Sequence, residues 1–140
     1  MTVRLNPYLS FRDSAREAMT FYKSVFGGEL TISTFADFHA SEDPAEQEKV
    51  MHSQLETPDG FVLMGADTPS GMEHRPQAGV SVSLSGDDEA RLRGWWERLS
   101  EGGTVTAPFE KAPWGDTFGM CVDRFGTNWM VNAAGAGAPG

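Results

Sequence analysis

An internal repeat constrains the fold of this 140-residue chain more than any other feature. An offset of 74 residues places the aromatic pair Phe21-Tyr22 on the pair Trp95-Trp96. An offset of 66 residues then places segment 60–64 on segment 126–130. Because the same segments recur in the same order, the sequence predicts two copies of one supersecondary unit. The change in offset predicts a shorter middle loop in the second copy.

Hydrophobic periodicity assigns each copy a strand, a helix and three further strands. In the first copy we predict a helix over Ala15–Phe26, with Asp13 and Ser14 as candidate caps. A turn containing Pro and Gly joins two strands, Val50–Glu56 and Phe61–Ala66, which predicts an antiparallel hairpin.

The rest of the first copy is an initial strand, a second strand and an acidic loop. The initial strand is predicted within 3–11, the second strand over 29–35 and the loop over 36–49, where Asp43 and Pro44 are typical of the start of a short helix. The second copy is predicted over Val80–Leu84, Asp88–Ser100, Thr104–Phe109, Phe118–Asp123 and Trp129–Asn132.

Charge and composition exclude several classes of function. The chain carries 11 Lys and Arg against 20 Asp and Glu, a formal net charge of −9, which disfavours nucleic acid as a partner. It has no apolar run of the roughly 18 residues that a spanning helix needs, so we expect no membrane insertion. The N-terminal residues lack the apolar stretch of a signal peptide, and we expect a cytoplasmic protein. The single cysteine, Cys121, excludes an internal disulfide and is predicted to be a buried, inert thiol.

Several motifs together resemble the PhnB-like branch of the glyoxalase/bleomycin-resistance/dioxygenase superfamily, also called the vicinal oxygen chelate superfamily. The motifs span nearly the whole chain and are Asn6-Pro7-Tyr8-Leu9, Ala18-Met19-Thr20-Phe21-Tyr22, Val25-Phe26-Gly27-Gly28-Glu29-Leu30, Val50-Met51-His52, Trp114-Gly115-Asp116, Phe118-Gly119-Met120 and Asp123-Arg124-Phe125-Gly126-Thr127-Asn128-Trp129.

The resemblance implies an α+β fold of two tandem βαβββ modules, whose curved mixed sheets enclose a small-molecule cavity, in a homodimer. We expect one domain over 1–135, with module one at 3–66, a linker at 67–78, module two at 79–132 and a flexible tail at 133–140. Of the adjacent Trp95 and Trp96, one is expected to pack inward and the other to offer apolar surface. Some members of this branch carry the label demethylubiquinone methyltransferase, but this sequence has no glycine-rich turn from strand to helix that would cradle a nucleotide-like cofactor.

Metal-using members of the superfamily place His, Gln or Glu ligands on the first and last strands of each module. In this sequence the corresponding first-strand positions fall on or beside Asn6 and Val80, and the last-strand positions fall on Met64 and Met130. Since hard divalent cations prefer oxygen and nitrogen donors, we expect no metal and no other cofactor, with a divalent metal as the alternative.

Three histidines could take part in a site. His39 and His74 lie in predicted loops, where a histidine is typically a solvated surface group. His52 lies in a predicted strand and shares a face with Gln54 by alternation. That face points either to solvent or into the cavity, where His52 would orient a ligand.

The remaining cavity candidates are aromatic, sulfur-containing or acidic, namely Tyr8, Met64, Trp114, Asp116, Phe118, Trp129 and Met130. Methionine adapts to irregular shapes and contacts aromatic rings favourably, which suits a pocket for a planar ligand, although the same residues also suit an ordinary core. Trp114 is either part of a fixed turn or a lid, and Asp116 presents its carboxylate to a ligand or to a backbone amide.

These features favour binding of a small organic molecule, with or without catalysis, and no catalytic residue is assigned. The alternative is a metal-dependent lyase, isomerase or dioxygenase that uses His52 and unaligned carboxylates. A third hypothesis is a protein partner that contacts the acidic loop 36–49.

Overall fold

The computed structural model describes residues 3–37, 43–69, 72–76 and 78–135. The chain divides into two compact units, residues 1–76 and residues 77–140, and each unit holds one copy of the repeat. The boundary falls within the predicted linker.

Unit 1 contains four strands and two helices. They are β1 Tyr8–Phe11, α1 Ala15–Phe26, β2 Glu29–Thr34, α2 Pro44–Gln47, β3 Val50–Glu56 and β4 Val62–Asp67. The strands form one sheet in the order β1-β4-β3-β2, in which β1 runs parallel to β4 and the other pairs are antiparallel.

Unit 2 repeats this topology without the short helix. Its elements are β5 Val82–Gly86, α3 Glu89–Ser100, β6 Thr104–Lys111, β7 Thr117–Val122 and β8 Asn128–Ala133. The sheet order is β5-β8-β7-β6, again with one parallel pair, β5 and β8. The predicted α+β fold of two βαβββ modules is therefore confirmed.

Both offsets of the repeat hold in the structure. Helices α1 and α3 differ by 74 residues at both ends, and strands β4 and β8 differ by 66 at both ends. Strand β3 has the predicted bounds, and α2 begins at the predicted proline, where the Asp43 side chain accepts a hydrogen bond from the amide of Ala45 at 3.0 Å. Local sequence was thus sufficient to place these elements.

Helix α1 packs its apolar face on the sheet, but its first turn is capped differently from the prediction. The Ser14 side chain makes no capping hydrogen bond within the described chain. Instead, Asp67 Oδ1 accepts a hydrogen bond from the Ala15 amide at 2.9 Å, and Asp67 Oδ2 accepts one from Val50 at 2.9 Å. The other predicted cap, Asp13, forms an ion pair with Lys49 at 3.1 Å. Asp67 thus ties the start of α1 to the end of β4.

Helix α3 packs on the second sheet through aromatic side chains. Trp96 stacks on Phe109 of β6 with ring centroids 5.9 Å apart, whereas the ring of Trp95 lies 4.9 Å from the Arg91 guanidinium on the helix surface. Gly119 of β7 leaves room for Trp96, because a Cβ there would lie 2.8 Å from Trp96 Nε1. Asp88 caps the helix by accepting a hydrogen bond from the Arg91 amide at 3.2 Å.

Several predicted boundaries need correction, and strand β6 extends two residues further than predicted, to Lys111. Strand β5 begins two residues late, at Val82, and Val80 before it is 71% exposed. Asp67, predicted as the first linker residue, is a buried residue of β4. The predicted tail is ordered through Gly135, since the amide of Ala134 donates to Gly86 O at 2.7 Å and that of Gly135 to Asp116 Oδ1 at 2.9 Å. Residues 136–140 lie outside the described residues. In the described parts of the chain, no helix combines the length and the hydropathy needed to cross a bilayer.

Candidate functional site

The sheet of unit 1 has one face against α1 and an opposite face, here called the open face. Buried Leu55 and Leu63 point toward the helix, so their neighbours point away. The strand register places Tyr8 beside Met64 and Met64 beside Gln54. The open face therefore holds four of the predicted site residues, listed from β1 across the sheet as Tyr8, Met64, His52 and Gln54.

Tyr8 and His52 contact each other on this face. The Tyr8 hydroxyl lies 3.3 Å from His52 Nδ1, within hydrogen-bond distance, and the two rings are 5.8 Å apart and tilted by 32°. Partial burial raises the pKa of Tyr8 above its ordinary value, so the phenol keeps its proton. Further along β3, Gln54 Nε2 donates to Glu56 Oε1 at 3.0 Å. Polar groups that hydrogen-bond one another thus lie in a row along the open face.

A β-bulge in β3 brings one more residue to this face. β2 pairs Ser33 with His52 but Thr34 with Val50, so Met51 is the extra residue. Met51 and His52 are both partly exposed, whereas Val50 and Ser53 on either side are buried. Strict alternation of side chains, on which the sequence prediction relied, assigns Met51 to the opposite face and misses it.

A pocket of about 380 Å³ opens beside Tyr8, a size within the range of about 300 to 1,000 Å³ that small-molecule sites occupy. Its wall mixes aromatic and thioether side chains with hydroxyl and charged groups, from Tyr8, Ser10, Phe35, Met51, Ala66, Asp67, Thr68, Pro69, Met72, Glu73 and Arg75. Of the predicted candidates only Tyr8 lines it directly. His52 lies at its rim, since it follows Met51 in β3.

Half of the pocket residues that sequence reasoning missed come from the segment after β4. That segment was predicted to be only a linker, and its Gly, Pro and polar residues carry no periodic signal. In the structure the Thr68 amide donates to Phe11 O at 2.8 Å, which starts the segment across the end of β1. Thr68 Oγ1 also lies 2.9 Å from His74 Nδ1, so His74 fastens this segment. His39 lies outside the described residues.

Unit 2 brings together a second group of predicted residues. Phe118 and Met130 lie on the face of its sheet away from α3, since β7 pairs Met120 with Met130 and their neighbours are buried. Trp114 is 63% exposed in the turn before β7 and meets the Phe118 ring edge-on, with centroids 5.9 Å apart. Trp114 therefore caps one end of this face.

Asp116 holds the backbone at the edge of the same face. Its Oδ1 accepts the Gly135 amide at 2.9 Å and its Oδ2 accepts Asn132 Nδ2 at 3.0 Å. The Gly135 amide, and then the Asn132 side chain, lower the pKa of Asp116 below its ordinary value. The sequence analysis predicted that this carboxylate faces a ligand or a backbone amide, and in the structure it binds the backbone amide of Gly135.

Trp129 does not lie on the same face of the unit 2 sheet as Phe118 and Met130. It is 1% exposed, on the sheet face that packs against α3, and its Nε1 donates to Asp123 Oδ2 at 2.8 Å. Asp123 Oδ1 also accepts the amides of Phe125 and Thr127, at 2.8 and 3.1 Å. The prediction of Trp129 in the cavity is corrected accordingly, because consecutive residues of a strand point to opposite faces and Met130 occupies the open one.

Cys121 is also a core residue. The side chain is 1% exposed, and burial, with the Asp123 carboxylate nearby, raises the pKa of its thiol to about 11. The prediction that Cys121 is buried is confirmed, and its inertness stays a prediction.

The donor groups at the superfamily's ligand positions do not fit a divalent metal. The thioethers of Met64 and Met130 are soft ligands. Of their strand neighbours, Tyr8 and Ser83 add hydroxyl groups, Gln54 adds a neutral amide and Met120 adds another thioether. Asn6 lies before β1 and lines a separate, open depression beside the β3–β4 turn. Among the described residues, His, Cys, Asp and Glu form no group of three or more that could hold a metal ion.

Comparison with solved structures defines the class of fold. A glyoxylase/bleomycin resistance protein/dioxygenase domain from Frankia sp. EAN1pec superposes with a TM-score of 0.67 at 15% identity, covering 98% of this chain and 95% of that one. A putative 3-demethylubiquinone-9 3-methyltransferase, PhnB protein, from Bacillus cereus superposes with a TM-score of 0.76 at 23% identity, covering 94% of this chain and 100% of that one. The fold is that of the glyoxalase/bleomycin-resistance/dioxygenase superfamily.

Within that superfamily, the chain belongs to the PhnB-like family described as 3-demethylubiquinone-9 3-methyltransferase, whose model matches residues 3–132. Protein PA1353 from Pseudomonas aeruginosa is 35% identical, with a TM-score of 0.81, and the match covers 96% of this chain and 99% of that one. The family predicted from the sequence motifs is confirmed.

Proposed function

We propose that this protein binds a small, planar organic molecule on the open face of unit 1, without a divalent-metal chelate. One observation carries the proposal: the pocket beside Tyr8 opens on the same face that holds His52, Gln54 and Met64. An apolar wall with a few converging polar groups is the usual composition of a small-molecule site.

The thioethers and rings supply the apolar part of this site. Met51, Met72 and Phe35 line the pocket, and Met64 lies next to Tyr8 on the sheet. Methionine sulfur interacts favourably with aromatic rings and its side chain adjusts to irregular shapes. A planar ligand between these groups gains dispersion and hydrophobic contacts, and its shape need not match the pocket closely because the methionine side chains adjust to it.

Methyl NMR tests the proposal, because unit 1 has methionines on both sides of its sheet, Met19 on one side and Met64 on the other. Protein labelled with ¹³C at the methionine methyl groups is titrated with a library of planar aromatic compounds. Binding at the site shifts the signals of Met51, Met64 and Met72, whereas Met19, which is fully buried under the sheet, stays in place. Shifts confined to other methionines, or none with any compound, contradict the proposal.

Two variants test whether the shifts of the methionine signals arise from binding in the pocket. Tyr8→Ser removes a half-exposed ring that lines the pocket and weakens binding. Val105→Ser removes a side chain of similar exposure on β6 of unit 2 and leaves the Met51 and Met64 shifts unchanged.

Two rival activities are tested on ¹⁵N-labelled protein, in which the His52 ring signals are visible. Zinc, manganese or nickel that shifts the His52 signals and stabilises the protein, with reversal by a chelator, favours the metal-dependent lyase, isomerase or dioxygenase. S-adenosylmethionine tests the methyl transfer that the family description names. We expect no response to it, since the turns into α1 and α3 carry Asp13-Ser14 and Asp87-Asp88 in place of glycines.

We also propose that the protein is a cytoplasmic homodimer. Two unusually exposed apolar side chains of unit 1 support a partner surface, Val3 at 100% and Leu5 at 99% exposure. Light scattering of the purified protein gives the mass of a dimer if this is correct, and the double variant Val3→Asp/Leu5→Asp shifts it toward the monomer. Cell fractionation tests the location.

A further inference from the structure

We propose that Tyr8 fixes His52 in the tautomer that carries its proton on Nε2, so that His52 donates a hydrogen bond to a ligand oxygen and selects planar molecules with a carbonyl-type acceptor. This inference rests on the proposed function and names its ligand class.

The hydrogen bond between Tyr8 and His52 has a defined direction. Their side chains meet at 3.3 Å through the phenol oxygen and Nδ1. A neutral imidazole has one donor and one acceptor nitrogen, and a phenol is a better donor than acceptor. The Tyr8 hydroxyl has no other hydrogen-bond partner within the described chain. Tyr8 therefore donates to Nδ1, and the raised pKa of the phenol keeps that proton on Tyr8.

The other ring nitrogen of His52, Nε2, is left as a donor. With Nδ1 as acceptor, the imidazole proton is on Nε2, which makes no hydrogen bond to the part of the chain that the structure describes. His52 is only partly buried and lies on the open face beside Met51, a pocket residue. The Nε2 proton of His52 is thus a donor of fixed position beside Tyr8, which lines the pocket.

A donor such as the Nε2–H group of His52 recognises a defined class of ligand. An N–H group at the edge of a pocket is best satisfied by a carbonyl, carboxylate or similar oxygen. A ligand of the same shape without this oxygen leaves the donor unpaired when it excludes water. The pocket should therefore discriminate between an aryl ketone and its hydrocarbon isostere.

Imidazole ¹⁵N spectra of the ligand-free protein test the tautomer directly. They are recorded near pH 8, above the ordinary histidine pKa of about 6.5, and His52→Gln identifies the His52 signals. We expect an unprotonated Nδ1 and a protonated Nε2. Tyr8→Phe keeps the ring and removes the hydroxyl, and should restore a mixture of tautomers. A proton on Nδ1 of His52, or no change in Tyr8→Phe, overturns the inference.

Acetophenone and α-methylstyrene, which replaces C=O by C=CH₂, test the ligand class. We expect acetophenone to bind roughly two- to tenfold more tightly, the effect of one net hydrogen bond. His52→Phe, which keeps a ring but has no donor, and Tyr8→Phe should reduce that preference. Equal affinity of both probes overturns the inference but leaves the proposed function intact, whereas no binding of either probe counts against both.

Discussion

Asp67 and Ala15 are separated by 52 residues in the sequence, and the Asp67 carboxylate accepts the Ala15 amide at a distance of 2.9 Å. The second oxygen of the same carboxylate accepts the amide of Val50. One buried side chain at the end of β4 therefore satisfies the first turn of α1 and the first residue of β3. Long-range caps of this kind have no local sequence signature.

Replacing Asp67 with Ala should lower the free energy of unfolding by about 2–4 kcal/mol, because two buried amides lose a charged acceptor. Urea denaturation measures the change. The control is Asp88→Ala, which removes the exposed cap of α3 and should cost only about 1 kcal/mol. Equal losses for the two variants would contradict the role given to Asp67.

The hydrogen bonds of Asp116 predict a pH dependence at the C-terminal end of β8. The bonds from Gly135 and Asn132 lower the pKa of Asp116 below 3.8, so the ionised form is favoured in the folded protein. Their stabilising effect is complete above about pH 4 and is lost as the pH falls through the lowered pKa. Hydrogen exchange should show a Gly135 amide that is protected at pH 6 and loses protection in strong acid.

Asp116→Ala removes the acceptor of the Gly135 amide, and should abolish most of this protection at pH 6 and make the remainder insensitive to acid. Asp87→Ala changes an exposed aspartate in the turn before α3 and should leave Gly135 unaffected. If Gly135 remained protected in Asp116→Ala, another group would have to hold this segment.

The Cys121 thiol should react far more slowly in the folded protein than in urea. Its pKa rises from 9.0 to about 11, which at pH 8 lowers the thiolate fraction about a hundredfold. Burial of the side chain slows reagent access further. Ellman's reagent measures both rates, and a folded-state rate close to the unfolded one would mean that β7 opens readily.

Two glycines of unit 2 offer a matched pair of alanine substitutions. At Gly119 a Cβ would lie 2.8 Å from Phe109 Cα, so Gly119→Ala should destabilise the protein by about 1–3 kcal/mol. At Gly94, within α3, a Cβ meets nothing within 4 Å, and Gly94→Ala should stabilise by about 0.5–1 kcal/mol. Thermal unfolding of both variants checks the opposite signs.

Much of the fold could be predicted because the repeat supplies each element twice. The helical spacing around Phe21-Tyr22 and Trp95-Trp96 gave both helices, and turn residues defined the hairpin of β3 and β4. Asp43 and Pro44 marked the short helix α2 because a cap and a first-turn proline act locally. These features all depend on neighbours in the sequence.

The candidate site was less predictable because it depends on departures from regular geometry. Alternation grouped His52 with Gln54 correctly, but the bulge at Met51 breaks that alternation. The same rule does hold in β8, where it places Trp129 and Met130 on opposite faces of the sheet. The pocket wall formed by Thr68 and Met72 comes from a segment without periodicity.

The distant cap of α1 affects the order in which the chain can fold during synthesis. When α1 leaves the ribosome, Asp67 has not yet emerged, so the first amide of the helix lacks its acceptor at that stage. Helix α3 emerges together with its cap, Asp88. One half of the chain thus has a helix whose cap comes from the far end of its module, and the other half has a helix whose cap directly precedes it.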